Sequence, residues 1–214
     1  ENWEQDPDVL DTWFSSWLWP FSTMGWPDET PDLKKYYPTD FLSTAADIIF
    51  FWVARMIMAS IEFTGKVPFR DVYFHNIIRD DKGRKLSKSL GNSPDVIEVM
   101  NEYGTDALRF TLVYLAPQGT DILFAKEKCE IGRNFANKLW NAARFLLMKK
   151  EQAGDTFTPF KEDLFDRWIK NRFNSAINDY LKALNEFKTN EASGALYDFV
   201  WGDFCDWYIE ILKI

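Results

Sequence analysis

Two lysines and two serines stand within five residues at Lys85-Leu86-Ser87-Lys88-Ser89, and Leu90-Gly91-Asn92 follows directly. Two ammonium groups on one loop can close over a polyphosphate. Small hydroxyls and exposed backbone donors add hydrogen bonds there without bulk. A solvated basic turn uses the same residue types, so the run alone leaves both readings open. His75 is the only histidine, which limits the remaining chemistry. No two-histidine zinc motif fits, and two cysteines cannot build a Cys-rich zinc site or a disulfide framework. No protein-bound metal is expected. A nucleophile–histidine site has only His75 to use, and that residue reads as structural.

The elements around the loop follow from pattern. Val72 to Ile78 is an apolar run of strand length, and the polar turn Asp80-Asp81-Lys82-Gly83 comes after it. Ser93 is the expected cap of a following helix, with Pro94 at its first position and Gly104 as its end. A short helix should run from Thr105 through Leu115. Upstream, Asp6 to Pro38 carries five prolines among aromatic runs and reads as irregular. Thr39 to Phe63 reads as one helix, because Ile48, Phe51, Trp52, Arg55, Met56 and Ala59 recur at threes and fours and Gly65 follows. Past Pro117-Gln118-Gly119 the chain changes character. Three apolar stripes at helical spacing, beginning at Ile131, Leu164 and Ala192, predict a small bundle.

Composition sets the outer limits. The chain has 214 residues, of which 46% are hydrophobic and 17% aromatic, with 10 Trp and 19 Phe. That supports a real core and excludes wholesale disorder. A net charge of −8 excludes a bulk electrostatic grip on nucleic acid. DNA is not an expected partner, and any RNA contact has to be local. Residues 126 to 150 are the local exception, with seven basic residues against Glu127 and Glu130. They could be an RNA contact or a solvated helix face that balances nearby acids. No apolar run is long enough to span a bilayer, so no membrane association is expected. Free cysteines and an opening that is no export signal point to a cytoplasmic setting. The start at Glu1 without Met and the end at Ile214 suggest a piece of a longer chain.

Lys85 to Ser89 resembles the KMSKS loop of the class I aminoacyl-tRNA synthetases, with Leu86 in place of Met, a nearly volume-conserving swap. The flanks agree. Val72-Tyr73-Phe74-His75 is similar to the family's preceding strand, and Tyr103-Gly104-Thr105-Asp106-Ala107-Leu108-Arg109-Phe110 to the segment after the loop. Asp8 to Ser16 and Asp47 to Met56 resemble the pocket segment and pocket helix of the valine-specific branch. Arg133 to Asn141 resembles the entry to its anticodon-binding bundle. One departure is Thr44-Ala45-Ala46-Asp47, where the family usually has Gly and an aromatic residue before the Asp. Another is Asn76, where it often has a small residue.

The resemblance implies a fold that is mostly α with a partial α/β part. Residues 1–117 would be the C-terminal half of a Rossmann-like nucleotide-binding domain, and 118–214 part of an α-helical anticodon-binding bundle. It implies a reaction in which valine and ATP, as its Mg2+ complex, give valyl-adenylate and pyrophosphate, after which the valyl group passes to tRNA(Val). It also implies roles. Lys88, assisted by Lys85, would be catalytic toward the pyrophosphate side of ATP, with Ser87 and Ser89 as further ATP ligands. Asp47 would lie near the adenylate ribose, and Trp13, Ile48 and Trp52 would wall the amino-acid side chain. Ordinary core packing is the other reading of each Trp, and a helix N-terminal charge the other reading of Asp47. An isoleucine-specific synthetase is the alternative within the family; a non-catalytic RNA-binding or structural piece is the alternative outside it. Class I enzymes also use a His-x-Gly-His motif, which one histidine cannot supply, so the chain by itself is not expected to activate valine.

Overall fold

The computed structural model describes residues 3–87, 89–154 and 161–213, in two compact units that divide between His75 and Asn76. In the first unit, three short helices, α1 (Thr12–Ser16), α2 (Trp19–Ser22) and α3 (Pro31–Tyr36), precede strand β1 (Thr39–Ala45). The Thr30 hydroxyl accepts from Leu33 N, with Pro31 at the first position of α3. A 3-10 turn (Ala46–Ile48), a π-helical turn (Ile49–Val53) and α4 (Ala54–Thr64) cross over to β2 (Phe69–His75). The strands run parallel, in a register that sets Leu42 against Val72 and Ala45 against His75. Gly65, at φ 68°, ends α4 in the left-handed conformation. Two small cores hold the unit. One gathers Leu42, Val53, Met56 and Phe69; the other gathers Phe21, Tyr37 and Ala59.

The helix expected over Thr39 to Phe63 is therefore a strand followed by a shorter helix. Thr, Asp and Ser in 39–44 are weak helix formers, and Leu42 and Thr44 are buried at strand alternation. Six bulky apolar residues, Ile48 to Val53, then start the helix as a wider π turn. π turns are rare and frequently occur at functional sites.

In the second unit, β3 (Ile78–Arg79) follows a break at Asn76-Ile77. The strand expected over 72–78 is thus two strands. The Asn76 side chain is engaged elsewhere, donating to the carbonyls of Pro117 and Thr120. β3 pairs in parallel with β4 (Ile122–Leu123). Between them lie the 80–95 segment, α5 (Val96–Tyr103) and α6 (Thr105–Tyr114). The cap of α5 is Asp95, which accepts from Ile97 N and Glu98 N at 2.8 and 3.3 Å. Ser93 and Pro94 lie before the helix, since the residue ahead of a proline is pushed toward extended backbone. Helices α7 (Cys129–Ala153), α8 (Leu164–Asn185) and α9 (Thr189–Asp198) follow, then a π-helical stretch (Phe199–Tyr208) and α10 (Ile209–Ile211). α8 opens with a capping box between Asp163 and Asp166.

The body of this unit is joined by close packing and by rings. Phe110 of α6 lies 4.7 Å from Phe135 of α7, which lies 5.1 Å from Tyr197 of α9. Lys138 covers the Trp201 ring at 4.9 Å and donates to Asp206 at 2.7 Å. Tyr208 donates to Asp166 at 2.6 Å, tying the π-helical stretch back to the first turn of α8. The α6–α7 contact is tighter still. Gly132 N donates to Thr111 Oγ1, and a Cβ at Gly132 would press on the Ala107 carbonyl, 2.9 Å from its carbon.

Gly132→Ala tests that contact. Ala gains about 1 kcal/mol over Gly in a helix interior, but overpacking against backbone costs about 1–3 kcal/mol or more. The substitution is expected to lower stability by about 1–2 kcal/mol net, read as a lower urea midpoint at unchanged m. A helix-propensity gain alone would move the midpoint the other way.

Candidate functional site

Parallel strands leave their carboxyl ends facing the loops that bind ligands in open α/β sheets. The sequence-predicted residues fall at two such ends. β1 ends at Ala45, and Asp47 and Ile48 follow in the 3-10 turn. β3 ends at Arg79, and the segment carrying Lys85, Ser87 and Ser89 follows.

At the first end, Asp47 is exposed and Ile48, Trp13 and Trp52 are half-buried. The Trp13 ring stacks on Phe51 at 6.1 Å, and the Trp52 ring lies 6.1 Å from Trp19. The Trp52 indole N–H donates to Ser16 O at 3.1 Å, which ties α1 to the π turn. Asp11 caps α1 by accepting from Trp13 N. The residues read as pocket walls thus stand on three elements, α1, the 3-10 turn and the π turn, of which α1 and the π turn are joined by an indole hydrogen bond and by a ring contact. His75 closes β2 opposite Ala45, and its side chain is exposed.

At the second end, the organising group is Asp80. It is 6% exposed, and its carboxylate accepts from Lys82 N at 3.1 Å, Arg84 N at 2.7 Å, Arg84 Nε at 2.7 Å and Asn92 Nδ2 at 3.0 Å. Asn92 also donates to Lys85 O at 3.2 Å, and its Oδ1 accepts from Ser87 N at 2.9 Å. The hydroxyls of Ser87 and Ser89 meet at 2.7 Å. Lys85 is exposed and bridges in antiparallel fashion to Arg79. Lys88 lies outside the described residues. An open cleft of about 320 Å³ adjoins the segment, lined in part by Arg84, Asn92, Ser93 and Lys126. Asp80 and Asp81 line it too, and its two cations are already paired, Arg84 with Asp80 and Lys126 with Glu102. Asp80, Arg84 and Asn92 were missed by motif reading. Asp80 was read only as part of the polar turn 80–83 and Asn92 only as a neighbour of the Lys-Ser run, and Arg84 carried no local signal.

Residues 1–125 match the family model described as tRNA synthetases class I (I, L, M and V), and residues 166–214 match the anticodon-binding domain of tRNA ligase. The chain belongs to the class I tRNA synthetases. It is 57% identical to the valine–tRNA ligase of Chlorobaculum tepidum, over 98% of the chain and 25% of that relative. It is 58% identical to that of Petrotoga mobilis, over 98% of the chain and 24% of the relative. The chain therefore spans about a quarter of the length of the curated relatives it matches.

Among solved structures, the fold of this synthetase chain is similar to that of a Mycobacterium tuberculosis methionyl-tRNA synthetase in complex with methionyl-adenylate. The TM-score is 0.79 at 24% identity, covering 94% of the chain and 40% of that protein. It is also similar to a leucyl-tRNA synthetase of Agrobacterium radiobacter in a ternary complex. There the TM-score is 0.77 at 21% identity, covering 92% of the chain and 27% of that protein. The fold class is the expected one, mostly α with a partial α/β part. Among the described residues, no helix is long and apolar enough to cross a membrane.

The Asn92 carboxamide first, and then the Arg84 backbone and guanidinium, hold the Asp80 carboxyl down from 3.8 to about 2, against the opposing pull of burial. A depressed carboxyl stabilises its surroundings fully above the unfolded value and loses that effect as pH falls through the folded one. The loop should therefore stay fastened from neutral pH to about 4 and loosen as pH falls toward 2. NMR of the Arg84 amide proton checks this, with an expected titration midpoint near 2 in place of 3.8.

Proposed function

We propose that this chain is the part of a valine–tRNA ligase that holds the KMSKS-type loop, the valine slot and the start of the anticodon-binding domain. The observation that carries the reading is identity of 53–58% to valine–tRNA ligases along nearly the whole chain. In this reading residues 1–117 complete the catalytic domain, 118–214 open the anticodon-binding domain, and the enzyme works in the cytoplasm on valine, Mg2+-bound ATP and tRNA(Val).

The chemistry follows from the groups available. A valine carboxylate oxygen attacks the α-phosphorus of ATP; the bond from that phosphorus to the bridging oxygen breaks, and pyrophosphate leaves with the electron pair. Charge builds on the leaving group, where Lys88 and Lys85 supply cations and Ser87 and Ser89 supply hydroxyl donors. Asp47, just past the carboxyl end of β1, suits a ribose hydroxyl. Trp13, Ile48 and Trp52 supply stiff apolar groups suited to walling a β-branched side chain. The adenylate carbonyl is then attacked by a terminal ribose hydroxyl of the tRNA, and AMP leaves.

Valine-dependent exchange of pyrophosphate into ATP by the complete enzyme tests the reading. Exchange driven by isoleucine would assign the isoleucine-specific alternative, and no exchange with either would leave a non-catalytic piece. In the complete enzyme Lys88→Ala is expected to slow single-turnover adenylate formation by about a hundredfold, or roughly 3 kcal/mol, with valine affinity unchanged. Weaker valine binding with an intact chemical step would assign Lys88 elsewhere.

Trp52→Ala is expected to relax selection by size. A slot able to bury one more methylene gains about 0.8 kcal/mol, so the isoleucine-to-valine ratio of adenylate formation should rise by at least about fourfold. A ratio held constant in a folded variant would leave Trp52 with its bond to Ser16 O alone.

A further inference from the structure

We propose that Asp80 and Asn92 form a clasp whose work is to position Lys85 and Ser87 for the triphosphate, which makes both of them positioning residues for adenylate formation. The inference rests on the ligase reading above and deepens it.

The two residues stand at opposite ends of the loop, twelve positions apart, and meet through Asn92 Nδ2 and Asp80 Oδ2 at 3.0 Å. Between them they bind the backbone at Lys82, Arg84, Lys85 and Ser87. These are the amides and carbonyl of a segment with little ladder structure among its described residues, where a bridge joins Arg79 to Lys85. Asn92 uses its one acceptor and its donors on three different partners, so its orientation is fixed. Asp80 is buried, engaged at both oxygens and anionic. A buried, saturated anion is unsuited to holding phosphate, and its effect must pass through the groups it orients. Cations and donors lower a barrier most when they are already aimed at the developing charge.

A residue that only supported folding would have the same contacts, so the test separates chemistry from stability. Asn92→Asp is nearly isosteric and turns the donor that faces Asp80 and Lys85 O into a carboxylate oxygen. Asp80→Asn removes the charge and aims an amide N–H at Asn92. The double variant D80N/N92D restores a donor–acceptor pair with its direction reversed.

In the complete enzyme each single variant is expected to slow single-turnover adenylate formation by roughly 10- to 100-fold. The valine dissociation constant should stay at the wild-type value, and the slowing should be out of proportion to any lowering of the urea midpoint, which loss of the Asp80 charge is expected to shift modestly. The double variant should recover several-fold over either single, incompletely, because Lys85 O still faces a carboxylate. Ser87 amide protection against hydrogen exchange should fall in each single variant and return in part in the double.

Wild-type rates in both single variants would overturn the clasp. So would losses that simply multiply in the double variant, or a slowed step that tracks a lowered urea midpoint. If the wild-type enzyme shows no valine-dependent exchange, the ligase reading fails and takes the clasp's catalytic role with it. An active wild type with unaffected variants removes the clasp alone.

Discussion

Parallel pairing is the constraint from which the layout of both units follows. Two parallel strands cannot be joined by a tight turn, so the chain must travel back before it can pair. Between β1 and β2 the return is made by residues 46–68, and between β3 and β4 by residues 80–121. Each return starts at a carboxyl strand end, where backbone groups are freed from the ladder and side chains can meet a ligand. The first carries Asp47, Ile48 and Trp52, and the second carries Lys85, Ser87 and Ser89. The candidate site residues sit where the topology obliges the chain to be irregular.

Irregularity then has to be restrained. At the first strand end the restraint is aromatic, with the π turn of Ile49–Val53 pinned by the Trp52–Ser16 hydrogen bond and by rings stacked across to α1. At the second it is electrostatic. A buried carboxylate must find donors or lose its charge, and Asp80 finds them in the loop itself. Trp52 shows how the two kinds of work overlap. Its N–H builds the scaffold, while its ring stays half-buried beside Trp19.

What could be read from the sequence follows from range. α7 and α8 were legible because their stripes are long and periodic, and the stops at Gly65 and Gly104 because glycine tolerates the backbone there, at φ 68° and 99°. Lys85 to Ser89 stood out in the sequence because its ammonium and hydroxyl groups are contiguous. β1 was not, since the apolar period of Ile48 to Ala59 extends backward over Thr39–Ala45 while pairing with Phe69–His75 decides its state. The helix start at Asp95 was missed because Ser93 and Asp95 are both capping types around Pro94, and only the carboxylate reaches Ile97 N and Glu98 N. π-helical turns escape any template with a period of 3.6. The Asp80–Asn92 pair escapes as well, since no local rule links residues twelve apart in a loop.

The charge distribution of α7 and its approach can now be read more finely than from composition. In the front half of 126–150, cations are spent inside the fold. Lys126 pairs with Glu102 at 2.9 Å, Lys128 donates to Leu123 O at 2.6 Å, Arg133 pairs with Glu130 at 3.2 Å, and Lys138 with Asp206 at 2.7 Å. Exposed pairs of this kind are worth only about 0–1 kcal/mol each, yet a polyanion would have to displace an acid or a carbonyl at every one. Arg144, Lys149 and Lys150 differ: all three are exposed on the later turns of the helix, and Lys149 rests 5.8 Å above the Phe145 ring. Lys150, in the last turn of α7, also gains from the backbone dipole. The exposed positive charge of the segment is therefore concentrated in its C-terminal half, although the excess of Lys and Arg runs along the whole of it.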